Sequence, residues 1–111
     1  MEVKTKQLKR VDIVDVSGRV DSATAPRLEA ALRDITGHDR YHIVVDLGGV
    51  EYLSSAGLRV LVSALKQARR WNRGDVRLAR VPVRVRDVLQ LAGLDVLFRT
   101  YEDPVDAVGS F

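Results

Sequence analysis

The sequence predicts an α/β fold in which a mixed sheet of four or five strands is flanked by helices. β-rich segments alternate with segments whose apolar residues recur at helical spacing, an order typical of parallel strands joined by helices. Two β-rich segments also follow one another at the start, which predicts an antiparallel pair at one edge. With 111 residues, 46% of them hydrophobic and 30% charged, the chain is expected to form a single domain over residues 1–111.

Three strands are predicted in the N-terminal half, over residues 3–9, 11–17 and 41–47. The third is a largely apolar run, the pattern of a buried central strand, and we expect it to end at about Asp46. A helix is predicted over Ala25–Thr36, because apolar residues recur there at i, i+3, i+4 and i+7. Pro26 suits the first turn of this helix, and Gly37 suits its end.

The C-terminal half is predicted to contain a helix over Ser55–Arg70, a strand over Asp75–Arg80, a helix from Pro82 to Gly93, and a last strand over Val96–Tyr101. Both helices have an apolar stripe at helical spacing, and arginines in the last turn of the first suit the negative end of its dipole. A short terminal helix is expected beyond Pro104.

Composition excludes several classes of protein. There are no cysteines, so disulfides, thiolate metal sites and cysteine nucleophiles are excluded. No apolar run approaches the ~20 residues that cross a bilayer, and we expect a cytoplasmic protein without membrane insertion. The net charge is only +3 and aromatic residues make up 5%, which argues against direct nucleic-acid binding.

The segment between the central strand and the following helix is the most informative part of the chain. Its last residues before the apolar stripe are small: Ser54, Ser55, Ala56 and Gly57. A helix start presents unpaired N–H groups and favours added negative charge, so one interpretation is phosphorylation of a serine there. The other is that a serine only caps the helix, worth about 1 kcal/mol. Ala56 and Gly57 are expected to leave the loop open, and Arg59 lies one turn after Ser55.

Enzymatic chemistry lacks the residues that it needs. The only histidines, His38 and His42, flank the entry to the central strand, at the end opposite the serines, so a serine–histidine pair is not expected. The aspartates that could supply metal ligands are not paired with histidine at ligand spacing: Asp12, Asp15, Asp21 and Asp46. Gly48-Gly49 lacks the lysine of a phosphate-binding loop. We expect no metal, no cofactor and no catalytic residue, although weak nucleotide binding stays open.

Three stretches of the chain have the order and spacing of one known family. They are Val44–Leu47 with Tyr52–Leu58, Ser17–Asp21, and Val85–Leu94 with Leu97-Phe98. Together they resemble the STAS domain of bacterial anti-sigma-factor antagonists, over nearly the whole chain. The resemblance implies a small sheet flanked by helices, and a regulatory binding protein rather than an enzyme.

Specific residues follow from the resemblance by their place in its motifs. It implies that Ser55 is phosphorylated by an anti-sigma factor that is itself a serine kinase, and is dephosphorylated by a metal-dependent phosphatase of the PP2C type. The commonest form of the motif is Asp-Ser-Ser/Thr-Gly; here Ser54 replaces the aspartate and is the neighbouring candidate for phosphorylation. The implied partner-binding residues are Asp21, Ser22, Ser54, Ala56, Gly57, Leu58 and Arg59.

The resemblance predicts a partner-switching mechanism. The unphosphorylated chain binds the anti-sigma factor and releases the sigma factor, and phosphorylation ends this binding without any contact to DNA. One alternative is a scaffold subunit of a stress-signalling complex or of a lipid-transport ATPase, and another is a small nucleotide-binding protein. The sequence leaves open which sigma factor is controlled and whether the chain forms a homodimer.

Overall fold

Five strands form one mixed sheet in which chain order is also spatial order. In the computed structural model, which describes residues 1–111, the strands are β1 (Glu2–Gln7), β2 (Asp12–Val20), β3 (His42–Leu53), β4 (Asp75–Ala79) and β5 (Thr100–Tyr101). The helices are α1 (Ala25–Gly37), α2 (Ser55–Arg69), α3 (Val83–Leu91) and α4 (Pro104–Gly109). β1 pairs antiparallel with β2, and all other neighbours are parallel. The predicted α/β class, with an antiparallel pair at one edge, is confirmed.

The two faces of the sheet are covered unequally. A large apolar core joins one face to α1, α2 and α3. A smaller cluster on the other face includes α4, and its buried members are Val11, Val44, Ala79 and Ala107. Val44 lies between Ile43 and Val45 of the large core, as expected where successive side chains alternate across a strand. No helix has both the length and the hydropathy to cross a bilayer.

The helices lie close to their predicted positions. α1 ends one residue later than predicted, and α2 ends one residue earlier, where a short 3-10 turn over Arg70–Asn72 follows. Pro82 precedes the first residue of α3, and Pro104 begins α4. Apolar periodicity and proline positions therefore predicted these elements well, because each helix buries one stripe against the sheet.

The predicted end of the central strand is wrong. β3 continues through Gly48 and Gly49 to Leu53, so Ser54 alone separates it from α2 and there is no long connection from Asp46 to Gly57. The glycines serve close packing within the strand: a Cβ on Gly49 would lie 2.8 Å from the Ser17 Cβ, and one on Gly48 would lie 2.8 Å from the guanidinium carbon of Arg80. Glycine inside a strand marks such close approaches as well as turns.

The edges of the sheet differ from prediction as well. β2 extends to Val20, three residues beyond its predicted end at Ser17, with register shifts against β3. The last strand, predicted over Val96–Tyr101, contains only Thr100 and Tyr101. Val96 is 83% exposed, and the pairing with β4 begins where the Leu78 N–H donates to the Arg99 carbonyl. An apolar run there reflects burial of Phe98 in the core rather than strand pairing.

Candidate functional site

Ser54 begins α2 as its N-cap. Its backbone is extended, with φ −79° and ψ 171°, and its Oγ accepts a hydrogen bond of 3.3 Å from the Gly57 N–H. Its own N–H donates to the Val20 carbonyl at 2.8 Å, which ties the helix start to the end of β2. Ser54 therefore satisfies one of the unpaired donors of the first turn, the role that serine commonly has at this position.

Ser55 is the first residue of α2 and is exposed. The capping hydrogen bond belongs to Ser54, so the Ser55 hydroxyl stays free at the positive end of a 15-residue helix. The two interpretations of the serine pair, a cap and an accessible hydroxyl, thus apply to different residues.

Gly57 has a different role from the one predicted. It is buried, and a Cβ in its place would lie 2.5 Å from Leu53 Cδ1 and 2.8 Å from Val20 Cγ1. The expectation that Gly57 keeps the segment open is wrong, because this glycine lets the first turn of α2 pack directly on the ends of β2 and β3. Ala56 beside it is half-buried.

Asp21 closes the short turn between β2 and α1. Its Oδ1 accepts hydrogen bonds of 3.0 Å from the N–H groups of Ala23 and Thr24, and its N–H donates to the Thr24 hydroxyl at 2.9 Å. The hydrogen bonds from the Thr24 N–H and hydroxyl hold the pKa of Asp21 below its ordinary value of 3.8. The carboxylate is therefore charged and fixed in orientation, with its Oδ2 left without a hydrogen-bond donor from the chain.

Two grooves flank Arg59 on the exposed side of α2. The Ser55 groove, about 610 Å³ in volume, is lined by Ser55, Leu58, Arg59, Val62, Ser63, Lys66 and Leu94. The Ser22 groove, about 380 Å³, lies between α1 and α2 and includes Ser22, Ala56 and Arg59. The turn after β2 and the start of α2 are thus brought together into one surface, as the sequence predicted, with Arg59 at its centre.

The predicted partner-binding residues differ in accessibility. Ser22, Ser55 and Arg59 are exposed, whereas Gly57 is buried and Leu58 is only 8% exposed. Leu58 contributes to the wall of the Ser55 groove, and Gly57 supports the surface from beneath.

Sequence reasoning missed four residues of the Ser55 groove: Val62, Ser63, Lys66 and Leu94. Val62 and Lys66 follow Ser55 at i+7 and i+11, the spacing of one helix face, which was a signal available in the sequence. Leu94 comes from the connection after α3, and no local pattern connects that segment to α2.

An ion pair lies beneath the carboxyl ends of the central strands. The Arg80 guanidinium donates to both carboxylate oxygens of Asp46, at 2.8 and 3.0 Å, and these bonds raise the pKa of Arg80 above its ordinary value. Arg80 has a left-handed backbone, with φ 50°. Asp46, which the sequence offered as a free carboxylate, is buried and paired, so it belongs to the structure of the sheet.

The residues considered for catalysis do not meet. His42 begins β3 and Ser54 follows its last residue, so histidine and serine lie at opposite ends of the strand, as predicted. No group of three or more His, Asp or Glu side chains has the arrangement to hold a metal ion.

Comparison with known proteins identifies the family of the chain. The STAS domain profile matches residues 2–107. The chain is 32% identical to BtrV of Bordetella bronchiseptica over 111 residues, which span 100% of this chain and 95% of that protein. It is also 32% identical to the anti-sigma-F factor antagonist RsfB of Mycobacterium tuberculosis over 98 residues, 88% of this chain and 79% of that protein. The chain therefore belongs to the STAS domain family.

A solved structure supports the match in three dimensions. The crystal structure of an anti-sigma factor antagonist from Mycobacterium paratuberculosis superposes with a TM-score of 0.88 at 28% identity, covering 98% of this chain and 92% of that one. The fold described above is thus shared along almost the full length of both chains.

Proposed function

We propose that this chain is an anti-sigma factor antagonist: a binding protein whose unmodified Ser55 surface binds an anti-sigma factor that is itself a serine kinase. The main observation behind the proposal is that Ser54 and Ser55 have different roles at the start of α2. Ser54 caps α2, and this leaves the Ser55 hydroxyl exposed at the rim of the 610 Å³ groove. The relatives named anti-sigma factor antagonists support it. A regulator of sigma factors acts where RNA polymerase does, and the proposed function therefore includes a cytoplasmic location.

Phosphorylation of Ser55 is the proposed switch. The Ser55 Oγ attacks the γ-phosphorus of ATP, ADP leaves, and a base of the kinase takes the hydroxyl proton. The phosphoserine brings about −1.5 to −2 charges, which the start of α2 offsets by roughly 0.3–1 kcal/mol. Arg59, one turn away, is placed to approach it.

The same charge opposes a complex that covers Ser55. Enclosing a poorly paired dianion in an interface costs several kcal/mol, and each ~1.4 kcal/mol is tenfold in affinity. The modified chain therefore leaves the kinase, which recaptures its sigma factor. A PP2C-type phosphatase that removes the phosphate restores binding. The fold need not rearrange, because the added charge acts where the partner docks.

Incubation with kinase-like anti-sigma factors from the same genome and Mg-ATP, followed by peptide mass spectrometry, tests the assignment. We expect one phosphate on Ser55, none on the Ser55→Ala chain, and retained modification of the Ser54→Ala chain. Phosphate on Ser54 or elsewhere, with Ser55 unmodified, would contradict the proposal.

A further inference from the structure

The C-terminal end of α2 and the turn after it form a cationic depression next to the Ser55 groove. It has a volume of about 330 Å³, and its lining is Ser63, Lys66, Gln67, Arg70 and Arg73. No acidic and no apolar side chain contributes to this lining. The depression therefore offers donors and positive charge, and it suits carboxylates or other anions.

The cations of the depression lack acidic partners. Neither Lys66 nor Arg70 takes part in any of the salt bridges of the chain. At the same end of the molecule, the carboxylate of Asp75 forms salt bridges with Arg69 and Arg77, with N···O distances of 2.8 and 3.0 Å. The unpaired charge thus lies at the C-terminal end of α2, on Lys66, and on the turn that follows it, on Arg70 and Arg73.

Arg73 is held in place at one wall of the depression. Its guanidinium donates to the carbonyls of Gln67 and Arg70 and, at 2.9 Å, to the Tyr41 hydroxyl, and it lies 3.9 Å from the centroid of the Tyr41 ring. These bonds use three of its five N–H groups and leave two for an incoming acceptor. A guanidinium that is already oriented loses less entropy when it binds a carboxylate.

Trp71 stands beside the depression and is 79% exposed. Its backbone is left-handed, with φ 58°, and the guanidinium carbons of Arg70 and Arg73 lie 5.8 and 5.2 Å from its ring. A large exposed tryptophan ring next to two arginines has the residue composition of a binding hot spot in a protein interface. Single-stranded nucleic acid is less suited to it, since one ring cannot stack successive bases.

The depression continues the Ser55 groove, since Ser63 and Lys66 line both. From Ser55 to Arg69 the helix spans about 21 Å at 1.5 Å per residue, and Arg70 follows it directly. A standard interface covers roughly 800 Å² on each partner, an area wide enough to include both features. A protein that docks over Ser55 therefore reaches the depression.

We propose that the depression and Trp71 dock an acidic segment of the protein partner that binds at Ser55. The inference rests on the proposed function, which supplies that partner. The acidic segment is attracted by the cations of the depression and contacts Trp71, beyond the end of α2 that is remote from Ser55. The partner therefore contacts the chain at both ends of α2.

Trp71 is the only tryptophan of the chain, so its fluorescence reports binding at this surface directly. Titration of the full chain with hexaglutamate is expected to change the emission saturably, with an affinity that falls as salt is raised. The double variant Lys66→Glu, Arg70→Glu should weaken binding at least about tenfold. The matched control Lys6→Glu, Arg10→Glu makes the same change of net charge with exposed residues of β1 and of the β1–β2 turn, and should change it less than about twofold.

An unchanged emission, an equal loss in the control, or tighter binding of an oligothymidylate of matched charge would overturn the docking of an acidic protein segment.

Binding to the kinase-like anti-sigma factor separates this inference from the proposed function. Loss of affinity in an Arg70→Glu chain, which leaves the lining of the Ser55 groove unchanged, supports docking. Unchanged affinity of that chain, together with loss in a Ser55→Glu chain, overturns docking and leaves the function standing. If no anti-sigma factor binds the native chain, the function fails, and hexaglutamate alone decides whether the surface accepts acidic segments.

Discussion

Two adjacent serines of the same chemistry have different environments at the start of α2. The oxygen of Ser54 accepts the Gly57 N–H, and the backbone of Ser54 is extended. Ser55 is the first residue of the helix and is exposed, and the capping hydrogen bond is made by Ser54 instead. One residue of displacement along the chain thus decides which hydroxyl stabilises the fold and which is free to react.

This difference predicts unequal effects of the two alanine substitutions on stability. Ser54→Ala should lower the free energy of unfolding by about 1 kcal/mol, because the first turn loses its cap. Ser55→Ala should change it by less than about 0.5 kcal/mol, since no capping bond is lost. Urea unfolding followed by circular dichroism measures both. A larger loss in the Ser55→Ala chain would show that the capping roles are reversed.

Asp21 predicts a dependence of stability on pH. Its pKa is lowered in the folded chain by the Thr24 and Ala23 donors, so the carboxylate contributes stability above its ordinary value of 3.8 and loses that contribution as pH falls below 3.8. Asp21→Asn should therefore melt at a lower temperature than the native chain near neutral pH. Below the folded pKa the two melting temperatures should converge. A difference that persists unchanged in acid would show that the charge of Asp21 is not its source.

At the scale of elements, the joint between β3 and α2 determines the geometry of the site. Only Ser54 separates them, and the backbone of Gly57 packs against Leu53 and Val20. Ser55 is therefore fixed relative to the sheet by hydrogen bonds and by close packing, and not presented on a flexible loop.

Gly57→Ala is expected to lower the free energy of unfolding by about 1–3 kcal/mol, because the new methyl group overlaps Leu53 and Val20. Gly37, the last residue of α1, has nothing within 4 Å of an added Cβ and is a matched control. Gly37→Ala should be neutral or stabilise by up to about 1 kcal/mol through helix propensity. Chemical denaturation of the two chains gives the comparison. Equal effects would mean that Gly57 is not required for packing.

The elements differ in how far local sequence predicted them. α1, α2 and α3 were predicted from periodicity, since each buries a single stripe. The predicted β3 is too short, because a pair of glycines such as Gly48-Gly49 is also common in turns. Only the folded sheet shows that Ser17 and Arg80 fill the space that side chains at these positions would occupy. β5 was overestimated because burial of Phe98 and strand pairing give the same apolar signal.

At the scale of the whole molecule, the candidate site joins segments that are far apart in the sequence. Ser22 follows β2, Ser55 begins α2, and Leu94 follows α3, and the parallel topology brings them to the grooves beside Arg59. The family motifs predicted the first two positions. The place of Leu94 depends on tertiary packing, and which cations near the end of α2 stay unpaired depends on where Asp75 lies, so local spacing shows neither.

The missing loop between β3 and α2 has a consequence for substrate recognition. Many protein kinases bind their substrates as extended peptides, but Ser55 lies in the first turn of a helix that packs on the sheet. If the proposed function holds, the kinase recognises the folded surface around Ser55 and not a linear sequence motif. A synthetic peptide with the sequence of residues 48–62 would then be a poor substrate of the kinase. A linear consensus motif would likewise fail to identify Ser55 as a phosphorylation site.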